Sequence, residues 1–201
     1  MKTRRALYSV LTLMLGAAGC AHSQQPSSPG IAIQRGGAWS TLSVQWPQIV
    51  GPDVNLTGDG NELRGFVGAG ALSVKLAGER ADGYGPGGPI NVTFSRQGDD
   101  LSIDGMWNGG PIHLKVGPDG LHGSVIRRSS ARTTFSSSCS YNLQERSGAV
   151  MTGTSTCIGM PLSTRLEIDP RVRERLTAPQ LALLLTAVLG SPPLDPLSER
   201  I

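Results

Sequence analysis

Aromatic residues, cysteines and long apolar runs are all scarce in this chain. Aromatics make up 4% of its 201 residues, and there are three cysteines. The longest largely apolar run, residues 6–19, is about 14 residues long, whereas a membrane-spanning helix needs roughly 20. The run is therefore too short to predict a spanning helix. Glycine and proline are abundant, at 27 and 14 residues, which favours many short strands joined by tight turns.

The first twenty residues have the organisation of an export signal. Cations at Lys2, Arg4 and Arg5 precede the apolar run, which closes on small residues. The segment Ala17-Ala18-Gly19-Cys20 resembles the lipobox of bacterial lipoprotein precursors, although that family prefers leucine where this chain has Ala17. The alternative is ordinary signal cleavage, for instance after Ala21, which would give a secreted protein without lipid.

The lipobox resemblance implies a cellular location. Residues 1–19 would be a lipoprotein signal peptide, and Cys20 would carry the lipid, palmitate among its acyl groups, as the first residue of the mature chain. Ala21 follows the cysteine, which in such lipoproteins points to the outer membrane facing the periplasm. The resemblance thus predicts a cell-envelope protein whose partner is the membrane, through its N-terminal lipid.

The charge balance argues against nucleic acid as a partner. Lys2, Arg4 and Arg5 leave with the signal and account for the formal net charge of +3, so the mature chain is predicted to be neutral. Nucleic-acid binding needs a standing cationic surface. The local basic cluster, which we interpret as a solvated strand end, consists of Arg127, Arg128 and Arg132.

The chain divides into four regions by composition. Residues 20–36 are rich in Ser, Pro and Gln and predict a flexible tether. Residues 37–169 alternate apolar and polar side chains between Gly-rich turns and predict one antiparallel β domain. Residues 170–201 predict a C-terminal helix and tail, with Thr177 as N-cap and Gly190 as the stop. The fold class expected is mostly β, an antiparallel meander or small β-barrel of about eight to ten strands with a C-terminal α-helix.

The predicted helix is apolar nearly all round between residues 181 and 189. We expect it to be buried against the sheet or to close one end of it. The alternative is that it lies in a groove of a partner protein.

Turn chemistry predicts the strand register. Asn108-Gly109 is a strong hairpin signal, and it places Asp104 opposite His113. A two-residue turn at Gln97-Gly98 would place Asn91 opposite Asp104.

The next turn, residues 117–120, is compatible with two loop conformations. A four-residue loop with Gly120 at positive φ sets Val116 opposite Leu121 and puts His122 on the polar face, diagonal to His113. A three-residue loop with a bulge would turn His122 inward. We prefer the first conformation because it buries Leu121.

Asp104, His113 and His122 are the candidate reactive group. Two imidazoles and a carboxylate can hold Zn²⁺ or another transition metal, and this gives a metal-dependent enzyme as one hypothesis. We favour a solvated cross-strand cluster, because diagonal Cβ atoms are about 7 to 8 Å apart and the face is open to water. We therefore predict no catalytic residues and no cofactor.

Cys139 and Cys157 are predicted to form a disulfide. A hairpin turning near residues 147–149 places them directly opposite each other, and export puts them in an oxidising compartment.

The function expected is that of a lipid-anchored, non-enzymatic structural or binding module of the envelope, with an envelope protein or an apolar ligand as possible partner. The alternative is a carrier of a small apolar ligand, because closed sheets of about eight strands can enclose one. That alternative predicts a cavity lined by Val74, Val92, Ile103 and Leu114.

Overall fold

A computed structural model describes residues 28–68, 70–128 and 136–190 of the chain. Within these ranges the chain forms fourteen strands and two helices. The strands are β1 Gly30–Arg35, β2 Ala38–Gln45, β3 Gln48–Gly51, β4 Val54–Gly58, β5 Glu62–Val67, β6 Gly70–Ala77, β7 Arg80–Gly85, β8 Gly88–Gln97, β9 Asp100–Trp107, β10 Gly110–Gly117, β11 Gly120–Arg128, β12 Ser136–Ser147, β13 Val150–Cys157 and β14 Met160–Ile168. The helices are α1 Pro170–Arg175 and α2 Ala178–Leu189.

The strands form a closed up-and-down barrel. Each strand pairs antiparallel with its neighbours in sequence, and β1 pairs with β14 to close the sheet, for example Ile33 with Leu166. The predicted fold class, mostly β with a C-terminal helix, is confirmed. The expected eight to ten strands were too few, because elements such as β3 are four residues long and carry one buried apolar residue, Ile49.

The predicted tether was wrong over its second half. Residues 30–35 form β1, and Ile31 and Ile33 are buried in the core. Their alternation was present in the sequence, but it lies beside a Ser/Pro-rich stretch whose composition outweighed it. Residues 20–27 of the predicted tether, the signal segment and the tail after residue 190 lie outside the described residues.

Helix α2 has the predicted bounds, with Thr177 as N-cap and Gly190 at its end. Its last eight residues are all buried, on every face of the helix. Because the surrounding sheet is closed, a helix covered on all sides lies inside the barrel. A wall of fourteen strands encloses more space than its own inward side chains can fill, and α2 fills that lumen instead of packing outside the sheet.

The two ends of the barrel differ, and we name them by the direction of the strands. Odd-numbered strands finish at the upper end, and even-numbered strands finish at the lower end, where the described chain also begins. α2 runs from the lower end to the upper end. At the upper end Tyr141 donates a hydrogen bond of 2.9 Å from its hydroxyl to the Leu189 carbonyl. Gly190 packs closely against Trp107, since a Cβ added to Gly190 would lie 2.6 Å from Trp107 Nε1.

Asp169 holds the chain where it turns from β14 into the lumen. Its carboxylate accepts from the Arg171 backbone N–H at 2.9 Å and from Arg171 Nη2 at 2.6 Å. The hydrogen bonds from Arg171 lower the pKa of Asp169. The backbone N–H of Asp169 also bonds the carbonyl of Gly30, so the start of α1 is fixed to the start of β1.

The predicted registers around β9 and β10 are largely confirmed. Asp104 lies opposite His113, and Trp107 lies opposite Gly110. Val116 lies opposite Leu121, as the four-residue loop requires, and Gly120 has a positive φ of 132°.

The predicted β8–β9 register was wrong by two residues. Phe94 pairs with Ile103, and Asn91 pairs with Met106, so Thr93 is the residue opposite Asp104. The turn lies one residue later than expected: Gly98 takes a φ of 61° at the first central position, where type II′ turns require glycine. A shift of two residues keeps each side chain on its face, so the buried set is unchanged.

Cys139 and Cys157 lie directly opposite each other on β12 and β13 and form a disulfide. Tyr141 and Leu143 share the buried side of β12 with Cys139. The predicted pairing is confirmed. A bulge between Glu145 and Ser147 makes the connecting turn less regular than a simple hairpin.

Candidate functional site

Asp104 and His113 meet on the outer wall of the barrel. They occupy opposite positions on β9 and β10, and Oδ1 of Asp104 contacts Nδ1 of His113. The two side chains are 50% and 71% exposed. A pair this open to water keeps little of the electrostatic strength that acid-base catalysis uses.

His122 does not complete a site with them. It lies opposite Lys115 on the next pair of strands, and Lys115 binds Asp100 at 2.6 Å, which raises the pKa of Lys115. In the part of the chain that the structure describes, no group of three or more His, Cys, Asp or Glu side chains is placed to hold a metal ion. The three predicted residues share a face, and two of them touch.

Exposed apolar side chains gather at the upper end of the barrel. In the described ranges every exposed large hydrophobic residue lies there, beside or within the turns that follow odd-numbered strands. We call this set the upper rim; it consists of Trp39, Val50, Phe66, Tyr84, Met106, Ile158 and Met160. Tyr84 is 72% exposed and Ile158 is 69% exposed. Such a concentration is typical of an interaction surface.

The turns at the two ends also differ in charge. The described turn residues at the upper end include one charged residue, Asp53. The described turn residues at the lower end include four, which are Asp59, Glu79, Asp99 and Asp119. The described turns of the upper end are therefore poorer in charge than those of the lower end, and the exposed apolar side chains lie beside them.

A buried polar group lies inside the barrel just below the upper rim. Arg35 is 9% exposed, its Nη2 donates to the Tyr141 hydroxyl at 3.1 Å, and its guanidinium carbon lies 5.7 Å from the centre of the Tyr141 ring. Tyr141 in turn bonds the last carbonyl of α2. Because the C-terminal end of a helix carries partial negative charge, the cation stabilises α2 in its position.

The lower end holds a cavity of about 400 Å³ between the two helices and the barrel wall. Its wall combines apolar and charged side chains, including Leu101, Met151, Leu181, Arg96, Glu145 and Arg173. A volume of this size is within the range of small-molecule sites.

Comparisons with protein-family models, curated proteins and solved structures found no match to this chain. No helix within the described residues is long and apolar enough to cross a membrane.

Sequence reasoning missed both the upper rim and the lower cavity. The signal for the rim was present: an exposed-face apolar residue stands directly before the turns at Gly51 and Gly85, where a polar residue is usual. Assigning those residues to one end, however, needs the correct number of strands. The cavity could not be found in the same way, because it lies between α1, α2 and strands far apart in sequence.

Proposed function

We propose that this chain is a non-enzymatic binding module of the cell envelope, anchored by lipid at Cys20, and that its upper rim engages a lipid surface. One observation carries the proposal: the exposed large apolar side chains of the described residues all lie at one end of the barrel. The lipid anchor at Cys20 and the envelope location rest on the lipobox resemblance.

The distribution of the rim around the barrel favours lipid over a protein partner. Its residues lie on β2, β3, β5, β7, β9 and β14 and in the β13–β14 turn, so they are spread over most of the circumference. A globular protein docking on one side would cover a few of them. A lipid interface approached end-on would cover all of them at once.

The residue types and the charge also suit a lipid interface. Trp39 and Tyr84 have the amphipathic rings that are enriched at the boundary between headgroups and hydrocarbon. Few charges would have to be moved into the headgroup region, because Asp53 is the charged residue among the described upper turns.

The proposed lipid anchor is connected to the lower end of the barrel, opposite the upper rim. The described chain begins at the lower end, and residues 21–29 can reach at most about 30 Å. β8 has ten residues and is therefore about 34 Å long. Because barrel strands are tilted from the barrel axis, the height of the barrel along this strand is less than that. The tether is thus long enough for the rim to touch the same bilayer only when it is nearly extended; otherwise the rim faces a second surface.

Replacing Trp39, Phe66 and Tyr84 by serine is expected to weaken vesicle binding by about tenfold or more, because each large side chain loses apolar contact worth about 1.5–3 kcal/mol. The measurement is flotation with phosphatidylcholine vesicles, with and without phosphatidylglycerol. The chain used lacks residues 1–19 and carries Cys20→Ser, so that binding reports the barrel alone.

The matched control replaces three exposed neutral residues at the lower end, Gln48, Gln97 and Gln144, by serine. This variant should float as the parent does. Equal loss in both variants, or no binding by the parent, would contradict the proposal for the rim. Capture by a purified envelope protein with no vesicle binding would assign the rim to a protein partner instead.

Lipid attachment is tested separately. In cells given a labelled fatty acid, the full-length chain should incorporate label, and Cys20→Ala should lose it entirely, because that residue is the proposed acylation site. Cys139→Ala together with Cys157→Ala is the control and should keep the label. Label that persists in Cys20→Ala would show that the lipobox interpretation is wrong.

The sequence is also compatible with two alternative functions. The apolar carrier was expected to have a cavity lined by Val74, Val92, Ile103 and Leu114; all four are fully buried in the core around α2, and none lines the lower cavity. The metal-dependent enzyme would use Asp104, His113 and His122, whose exposure on the outer wall gives it no support.

A further inference from the structure

The lower cavity contains a guanidinium group, two of whose buried nitrogens have no partner in the described part of the chain. Arg173 lies on α1 and lines this cavity, and its Nε and Nη2 atoms are buried with no hydrogen-bond partner among the residues that the structure describes. Buried donors are nearly always paired, and leaving a charged one unpaired is costly. The group that would satisfy Arg173 is an acceptor, and a negatively charged one.

The other charged residues around the cavity do not supply that acceptor. Arg96 is already engaged, since its Nε donates to the Gly98 carbonyl at 3.0 Å and its Nη2 lies 4.0 Å from Asp99. Two carboxylates, those of Asp99 and Glu145, also line the cavity, but none of the ion pairs of the described residues joins either of them to Arg173.

The rest of the wall is apolar. Leu101, Met151 and Ile168 are buried residues that reach the cavity from three strands, and buried Leu176 reaches it from the C-cap of α1. The start of α2 also lines it, at Ala178, and the partial positive charge at a helix N-terminus adds to that of Arg173. The combination of one anion-binding group and an extended apolar wall matches an amphiphile with an anionic head.

We propose that the lower cavity binds a single-chain carboxylate, with its head on the Arg173 guanidinium and its hydrocarbon chain along Leu101 and Met151. A planar carboxylate accepts from two guanidinium N–H groups at once. The Nε and Nη2 atoms of Arg173 lie on the same edge of the guanidinium plane and can donate to it together. A cavity of about 400 Å³ accommodates one chain of moderate length. This site is independent of the upper rim and lies at the opposite end of the barrel.

Decanoate is the probe, and its binding is measured by titration calorimetry. The chain again starts at residue 20 with Cys20→Ser, because the barrel and both helices lie wholly within residues 28–190. One decanoate per chain is expected. Arg173→Met, which keeps the length of the side chain but removes its donors, should weaken decanoate binding by at least about tenfold and leave decanol binding unchanged.

Matched variants separate this site from general effects. Arg175→Met removes a cation from the same helix that does not line the cavity, and it should bind decanoate as the parent does. Val116→Trp narrows the cavity and should weaken decanoate and decanol alike. Melting curves followed by circular dichroism verify that each variant folds.

Several results would overturn the proposal: no binding of decanoate, equal affinity in Arg173→Met and the parent, or an equal loss in Arg175→Met. Binding that appears only after Glu145→Gln would show that Glu145 occupies the guanidinium in solution, and this also overturns it. Serine substitutions in the upper rim should not change decanoate affinity, so failure of one proposal is distinguishable from failure of the other.

Discussion

Aspartate at any one of four consecutive positions of α2 is expected to abolish the folded barrel. The positions are Ala182, Leu183, Leu184 and Leu185, each exposed by 2% or less. Successive residues of a helix point about 100° apart, so these four cover every face. A helix packed on the outside of a sheet would tolerate a charge at one of them, whereas a helix inside the lumen tolerates it at none.

The size of the effect follows from burial of an unpaired carboxylate. The effective penalty is several kcal/mol, which is comparable with the whole free energy of unfolding of a typical domain, about 5–15 kcal/mol. Urea unfolding followed by tryptophan fluorescence measures it. We expect each variant to have either no cooperative transition or a midpoint far below that of the parent.

Gln180→Glu is the control for this series. Gln180 lies in the first turn of α2, and its side-chain oxygen accepts from the Thr177 backbone N–H at 2.9 Å. Glutamate keeps that acceptor and places negative charge at a helix N-terminus, where it is favourable, so stability should be unchanged or slightly raised. Parent-like stability in one of the four aspartate variants would show that α2 exposes that face and does not lie within the lumen.

Loss of the disulfide between Cys139 and Cys157 is expected to lower the free energy of unfolding by about 3 kcal/mol. The bridge spans a sequence separation of 18 residues, and the chain-entropy model gives this figure for a loop of that length. We expect a measurable loss of stability because β13 is rich in Thr, Ser and Gly and buries few large apolar side chains. The change is measured as a shift of the urea midpoint on adding reductant.

The double variant Cys139→Ala, Cys157→Ala is the matched control. Its midpoint should equal that of the reduced parent and should not respond to reductant. A reduced parent as stable as the oxidised one would mean that the barrel holds β12 and β13 together without the bridge.

Much of the local structure could be predicted from alternation and turn chemistry alone. The face of each strand residue follows from the two-residue period, so Ile103, Leu114 and Leu121 were assigned correctly to the inward face. The opposition of Asp104 and His113 and of Cys139 and Cys157 followed from the turns beside them. The exact β8–β9 pairing did not, because a turn displaced by one residue keeps the same buried face and so leaves no trace in the pattern.

The candidate sites were less predictable because they depend on contacts distant in sequence. Arg35 was assigned to a tether, although closure of the barrel buries it beside Tyr141, 106 residues away. The sequence did not single out Arg173, and its position in the wall of the lower cavity is visible only once α1 is placed against the lower end of the barrel. The alternation of buried and exposed residues along one strand carries no information on contacts with elements that are distant in sequence.

The sequence by itself determined the alternating inward faces of the β domain, the disulfide pair and the bounds of α2, since each depends on residues near one another along the chain. The tertiary structure decided that fourteen strands close on themselves, that α2 fills the lumen, and that Trp39 and Tyr84 share one end of the barrel while Arg173 lies at the other. Closure is a property of the whole sheet: β1 meets β14 only when the sum of strand twist and tilt brings them together, and the space this encloses then requires a helix to fill it.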